Sequence, residues 1–406
     1  MKNRPRESRR SWHYFASMHG TSSPRGEWPA GAIFDGCQHA NWFFLPWHRK
    51  YLSVFEGEVR RTLAELNYPD AGEWALPYWD YNDESATVRG LPTAFLEETL
   101  PDGTPNPLVA PRATQTLPEG NVELREAMRQ LEFLDGFGGV NPNFFLRLPG
   151  KLELSPHNMV HSALGGWMGD ARYAALDPIF WLHHANIDRL WAAWLQLAGG
   201  RANPTESAWL DQTFQINDGN TNITFACRDV VDSSTLGYTY ESLSEGRFSL
   251  IPEHPISAFR PVNSVVGASA RDIHLGWESV RVDIPLDIPS GSAQAPRFQL
   301  ELENVRATQL GPALFDVSIQ MPNTIETLRV GRLSTFGLIQ SKEKGPHQHG
   351  TLTIPFEITR ELRALMEAGQ WPTRLSVSIQ PTPGRERNGE PDGNLTVGRI
   401  AVRPGR

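Results

Sequence analysis

The chain has 406 residues, 39% of them hydrophobic, which at roughly 100–200 residues per domain suits two or three domains with real cores and excludes a mini-protein. Its 46 acidic against 38 basic residues, a net charge of −8, give no electrostatic footprint for a nucleic acid or an anionic membrane. With only two cysteines, Cys37 and Cys227, a disulfide framework and any four-cysteine zinc or iron–sulfur site are excluded, so a bound metal must use histidine or carboxylate.

The basic N-terminus runs into Ser11-Trp12-His13-Tyr14 rather than an apolar stretch, so no signal peptide is legible. No segment approaches the roughly 20 apolar residues of a membrane span. The expectation is a cytoplasmic protein, with export alongside a partner's signal left open. Apolar Trp47, Tyr51, Leu52, Phe55, Val59, Leu63 and Leu66, spaced by threes and fours, predict a helix over 46–66. A second long helix is predicted over 178–197, with Asp177 as N-cap and Pro178 as its first residue. Residues 200–222 are polar and loop-like, and 250–263 hold three prolines, the mark of a connector. Beyond about residue 265, short β-type runs at 280–284, 298–302, 314–319, 352–356, 375–379 and 395–402 alternate with Pro and Gly, predicting a β-sandwich or barrel.

The residue types able to do chemistry crowd into the first half, where eight of the twelve histidines lie before residue 185. His157 and His161, four apart, fall one turn apart on one helix face. His39 sits on the approach to the first long helix and His48 in its first turn. Of the adjacent His183 and His184 only one can face a given site, because successive helical residues point about 100° apart. With His19 this makes a pool of seven imidazoles on separate segments, enough for two ions with three each. An all-imidazole shell suits copper, zinc or nickel and also tolerates Cu(I). A hydrolytic zinc site would place a carboxylate beside the ligands, as in HExxH, whereas His157 is followed by Asn158. His347 and His349, in a Gly-bounded segment, read as a turn without function.

The segment Cys37-Gln-His-Ala-Asn-Trp-Phe-Phe-Leu-Pro-Trp-His-Arg-Lys-Tyr-Leu-Ser-Val-Phe-Glu56 resembles the first copper motif of tyrosinases, catechol oxidases and molluscan haemocyanins. Pro156-His-Asn-Met-Val-His161, with Asp177-Pro-Ile-Phe-Trp-Leu-His-His-Ala-Asn-Ile-Asp-Arg-Leu-Trp191, resembles the second. With Leu76-Pro-Tyr-Trp-Asp80 and Leu236-Gly-Tyr-Thr-Tyr240 the resemblance spans residues 12–241. It implies His19, His39 and His48 as ligands of one copper and His157, His161 and His184 as ligands of the other, His183 serving as support. His13 is the rival to His19. Cys37, two residues before His39, is similar to the cysteine that forms a thioether with the histidine in some members. Glu153 and Asn158 resemble the pair that holds a water near the coppers, from which a carboxylate could accept a phenol proton. Asp188, one turn after His184, is expected to orient an imidazole. Trp42, Phe43 and Phe180 are expected to line a dry pocket. Phe315-Asp-Val-Ser-Ile319 and Leu395-Thr-Val-Gly-Arg-Ile400 resemble the C-terminal domain of plant polyphenol oxidases, which covers the copper entrance and keeps the enzyme latent.

The resulting expectation is an α+β multidomain chain: a helical domain over 1–245 with two coppers inside a four-helix bundle, a linker over 246–265, and a β-sandwich over 266–406. The implied function is O2-dependent oxidation of small phenols to o-quinones, with or without ortho-hydroxylation of monophenols. A catechol or o-aminophenol oxidase and a haemocyanin-like O2 carrier are the alternatives on the same ligands. No nucleic-acid or membrane partner is expected, and the oligomeric state is not readable.

Overall fold

The computed structural model describes residues 1–20, 28–82, 86–142, 146–243, 255–262, 264–270, 272–288, 297–309, 311, 313–320, 327–338, 351–367, 369, 371–382 and 393–406. Helices and sheets form two compact units. The first holds residues 1–141 and 149–257, the second 258–339 and 349–406. Residues 142–148, with the short strand β1 (Leu146–Arg147), belong to the second unit although the sequence places them in the helical half. Much of the expected connector at 246–265, and both His347 and His349, lie outside the described residues. Among the described residues no helix is long and apolar enough to cross a membrane.

In the first unit, α1 (Trp12–His19) starts at Ser11, whose hydroxyl accepts the Tyr14 N–H as an N-cap. Helix α2 (Phe44–Glu65) begins two residues before its predicted start because Asn41 Oδ1 accepts the Phe43 N–H and sets the entering turn. After the short α3 (Arg125–Arg129) come α4 (Met159–Leu164) and α5 (Ile179–Gln196). Asp177 caps α5 as expected, its Oδ1 accepting the Ile179 N–H at 3.0 Å, and Arg112 holds both of its oxygens. Helices α2 and α5 pack through Phe55 and Trp181, whose rings stack with centroids 3.5 Å apart and planes 10° apart. The basic N-terminal arm has a structural use. Arg4 and Arg10 reach Glu58, a fully buried α2 carboxylate, at 2.9 and 2.8 Å, which offsets the cost of burying its charge. The loop-like stretch after residue 200 contains α6 (Ser207–Leu210) and the first strand of a hairpin, β2 (Thr213–Asn217) with β3 (Asn222–Ala226). Trp209 from α6 is buried among Trp42, Phe133, Trp191 and Trp194.

In the second unit, strands cover all six predicted runs: β6 (Val280–Pro285), β7 (Arg297–Ala307), β8 (Leu314–Gln320), β10 (Thr351–Glu357), β11 (Arg374–Pro381) and β12 (Leu395–Gly405). Unpredicted are β4 (Gly267–Ala268), β5 (Ile273–Leu275), β9 (Thr327–Ser334) and the helix α7 (Thr359–Glu367). One sheet runs β1-β10-β7-β12-β4 with β5 also on β12, and the other β6-β11-β8-β9. Every pairing is antiparallel except β1 on β10. On β11 alternate residues Leu375, Val377 and Ile379 are buried, as period 2 demands, whereas central β7 is buried on both faces, with Gln299 and Glu301 covered as well as Phe298, Leu300 and Leu302. Gly331 has to be glycine, since a Cβ there would lie 2.4 Å from the Phe356 ring.

Candidate metal centre

Three histidines come from α1, the approach to α2, and α2 itself. His19 ends α1, His39 lies nine residues ahead of His48, and the three ring centroids are 5.3, 5.5 and 5.2 Å apart (19–39, 19–48, 39–48). A second trio comes from the 157–164 segment and α5. His157, His161 and His184 have centroids 4.6, 4.9 and 5.5 Å apart (157–161, 157–184, 161–184). The trios adjoin: His48 stacks on His184 at 4.5 Å and His39 lies 5.6 Å from His157. Extended backbone at Ser155 (φ −149°, ψ 128°), followed by Pro156, kinks the chain just ahead of His157, and the backbone is helical again at Asn158 and Met159 leading into α4 and His161.

Hydrogen bonding fixes which nitrogen of each ring is offered. The Nδ1–H groups of His19, His48 and His161 donate to the Ala171, Phe44 and Met168 carbonyls at 3.2, 2.8 and 2.8 Å. Each Nε2 therefore carries a lone pair. The buried Nε2 atoms of His19 and His48 have no hydrogen-bond partner, and those of His161 and His184 face each other at 3.3 Å. Lone pairs converging in a dry interior are what a shared cation satisfies, with the carbonyls setting tautomer and ring angle. Burial pushes the His19 imidazolium down to about 4, the Ala171 carbonyl partly opposing this. Burial, with repulsion among neighbouring imidazoles, lowers His39, His48, His157, His161 and His184 well below 6.5. The rings are neutral at pH 7, as metal ligation requires.

These shifts carry a sign for stability. The unfolded chain binds more protons than the folded one at mildly acid pH, so the buried imidazoles' contribution is intact above about pH 6.5 and is lost as pH falls toward 4. Urea denaturation of metal-free protein is expected to give a midpoint that drops steadily between those values. A flat profile would mean that the rings are not buried neutral.

The comparisons with known proteins agree with this geometry. A family model described as the common central domain of tyrosinase matches residues 9–135 and 105–197, and a domain of unknown function (DUF7868) matches 263–404. A tyrosinase, HcTyr1, of Hahella sp. (strain CCB-MM4) is 30% identical over 99% of this chain and 94% of its own length. The chain belongs to the tyrosinase family. A chloroplastic polyphenol oxidase of Vitis vinifera is 32% identical over 50% of this chain but only 37% of its own length. The fold resembles that of latent apple tyrosinase (TM-score 0.60, 21% identity, covering 99% of this chain and 92% of that one). It also resembles latent aurone synthase (0.64, 20%, 100% and 85%). Tyrosinases and polyphenol oxidases are copper oxidoreductases, and the family uses a binuclear copper centre.

For a tyrosinase-family chain, the remaining expected residues fall as follows. Glu153 is buried, not a solvated loop carboxylate, and its Oε1 accepts the Ala40 N–H next to His39 at 2.7 Å. Asn158 Oδ1 lies 2.8 Å from His157 Nδ1 and so orients that ring. Cys37 Sγ lies within 4.8 Å of ring nitrogens of His19 and His39. His13 joins no metal-sized cluster among the described residues. His183 is close to His157, His161 and His184, but its Nδ1 is engaged by the hydroxyl of buried Tyr81 at 2.9 Å.

Two expectations need correction. Asp188 orients no imidazole: Arg49 Nε reaches its Oδ1 at 2.6 Å, and the Tyr238 and Tyr240 hydroxyls donate to its Oδ2 at 2.7 and 2.6 Å. Its chain neighbour Arg189 pairs with Asp80 at 2.7 Å. Trp42 and Phe43 line no pocket at the histidines; they belong to the core around Trp209. Phe180, 4.1 Å from His184 and 4.9 Å from His19, does cover the rings. So does Phe44, 4.7 Å from His48 and 4.6 Å from His157, which sequence reasoning missed. Its position one turn before His48 was the available signal.

Proposed function

We propose that the chain oxidises small phenols with dioxygen at two copper ions, one held by His19, His39 and His48 and the other by His157, His161 and His184. The observation that carries this reading is the convergence of six neutral rings, with His48 stacked on His184 at 4.5 Å. Copper bound there would supply what no side chain has, the reduction of dioxygen coupled to oxidation of a phenol ring. The chain's own part is geometric and protonic. Backbone carbonyls and Asn158 aim the rings, while Phe44 and Phe180 keep the interior dry. We read α1, α2, α4 and α5 as a four-helix bundle around this centre and the two sheets of the second unit as a β-sandwich. The closeness of Cys37 to His39 supports a thioether between them.

Within this reading, Glu153 accepts the proton of a monophenol, a step that oxidation of a catechol does not share. Glu153→Gln keeps the oxygen that accepts from Ala40 and removes the base. It is expected to lower O2 uptake with a monophenol by about 10–100-fold while catechol-driven uptake stays within about threefold. Equal losses on both substrates would assign Glu153 a purely architectural role. The activity itself is tested with an oxygen electrode on copper-loaded protein. Uptake with both substrates is expected. Uptake with the catechol alone would restrict the chain to catechol oxidation, and reversible O2 binding without phenol turnover would make it a carrier.

A further inference from the structure

The tyrosines that fasten Asp188 also border a space that the phenol-oxidising reading does not use. A cavity of about 530 Å³ lies among α2, the 75–78 stretch and the strap over 238–241. Three of its walls are tyrosine rings at near right angles. Tyr78 and Tyr240 meet edge to face with centroids 5.9 Å apart and planes at 76°, and Tyr238 and Tyr240 do so at 5.7 Å and 84°. The hydroxyls of Tyr238 and Tyr240 are spent on Asp188, so these side chains offer a ligand their rings rather than a hydroxyl donor.

The charged side chains of the lining itself are carboxylates, and Glu241 is the one without an arginine partner in an ion pair among the described residues. Glu56 and Glu241 contribute carboxylates, and none of the described lining residues is Lys, Arg or His. Glu56 is held in place, Oε2 accepting the Leu76 N–H at 2.8 Å and Oε1 pairing with Arg60 at 2.7 Å, whereas Glu241 is exposed. One face of the Tyr78 ring is taken by the Arg189 guanidinium, whose carbon lies 4.8 Å from the centroid, which leaves a ligand the opposite face and the Tyr238 and Tyr240 rings. Perpendicular aromatic rings present negative faces to a weakly hydrated cation, and a nearby carboxylate adds long-range attraction. A strongly hydrated metal ion would find too few oxygen ligands here.

We propose that this cavity binds a small organic cation of the quaternary ammonium class, independently of the histidine centre. The test is calorimetric titration of the full chain with choline and with its neutral isostere 3,3-dimethylbutan-1-ol. Choline is expected to bind in the millimolar range, and the isostere at least about tenfold more weakly. Tyr78 takes no part in holding Asp188. Tyr78→Leu is expected to weaken choline by about fivefold or more, Tyr78→Phe, which keeps the ring beside Arg189, to bind and melt as the parent does, and Glu241→Gln to weaken choline about threefold. Equal affinity for choline and the isostere would overturn the proposal, as would no heat at about 50 mM choline. Displacement of choline by catechol would overturn it too, marking the cavity as a phenol site. Because metal-free protein serves for every arm, failure here leaves the copper reading untouched.

Discussion

His161→Ala is expected to empty one copper position and reduce O2 uptake with either phenol class by at least about 1000-fold. His161 is the ring whose Nε2 faces that of His184 at 3.3 Å and whose Nδ1 is pinned by the Met168 carbonyl, so no small movement of the others replaces it. The nearest substitute, His183, has an unpartnered Nε2, but Tyr81 holds its other nitrogen and with it the ring's direction. Elemental analysis beside the oxygen electrode checks the outcome, with copper per chain falling together with turnover. The control is His13→Ala, which should keep both, since His13 stands outside the clusters found among the described residues. Full copper and activity in His161→Ala would remove that residue from the centre.

The second large effect concerns the fastening between the two long helices. Arg49 and Asp188 form an ion pair with side-chain exposures of only 1% and 3%. Arg49 also donates to the Val230 and Val231 carbonyls at 3.1 Å and lies 3.6 Å from the Trp191 ring. Arg49→Ala leaves the Asp188 carboxylate buried with only two tyrosine hydroxyls to compensate it. Loss of about 3–5 kcal/mol is expected, or about 6–20 °C in melting temperature for a unit of this size. Arg49 follows His48, and Asp188 lies one turn beyond His184, so the variant should also release copper faster. Calorimetric melting of the parent and variant decides it. A shift under about 2 °C would show that the pair contributes no net stability.

The long helices were readable because their apolar residues repeat at helical spacing over five turns and Asp177-Pro178 marks a start. The six main strands were readable from β-branched runs set between Pro and Gly. Strand β9, Thr-Leu-Arg-Val-Gly-Arg-Leu-Ser, was not, because two arginines and a glycine interrupt its alternation and only its last two residues are buried. Helix α7 does carry Leu362, Leu365 and Met366 at helical spacing, but over only nine residues set between β-type runs. The histidines were legible as ligand-type residues at ligand-type spacings, but which segments meet is a tertiary fact. Asp188 illustrates the limit: sequence distance from His184 suggested an imidazole, and the donors that claimed it were Arg49, 139 residues away, and tyrosines 50 and 52 residues on. Trp42 and Phe43 failed in the same way, since nearness to His39 in the chain says nothing about which core the turn entering α2 packs them into.

Anomalous diffraction at the copper absorption edge from crystals of copper-loaded protein tests the central claim most directly. Two peaks per chain are expected, one among the ring nitrogens of His19, His39 and His48 and one among those of His157, His161 and His184. A single peak, peaks away from these six rings, or a signal at the zinc edge instead of the copper edge would contradict it.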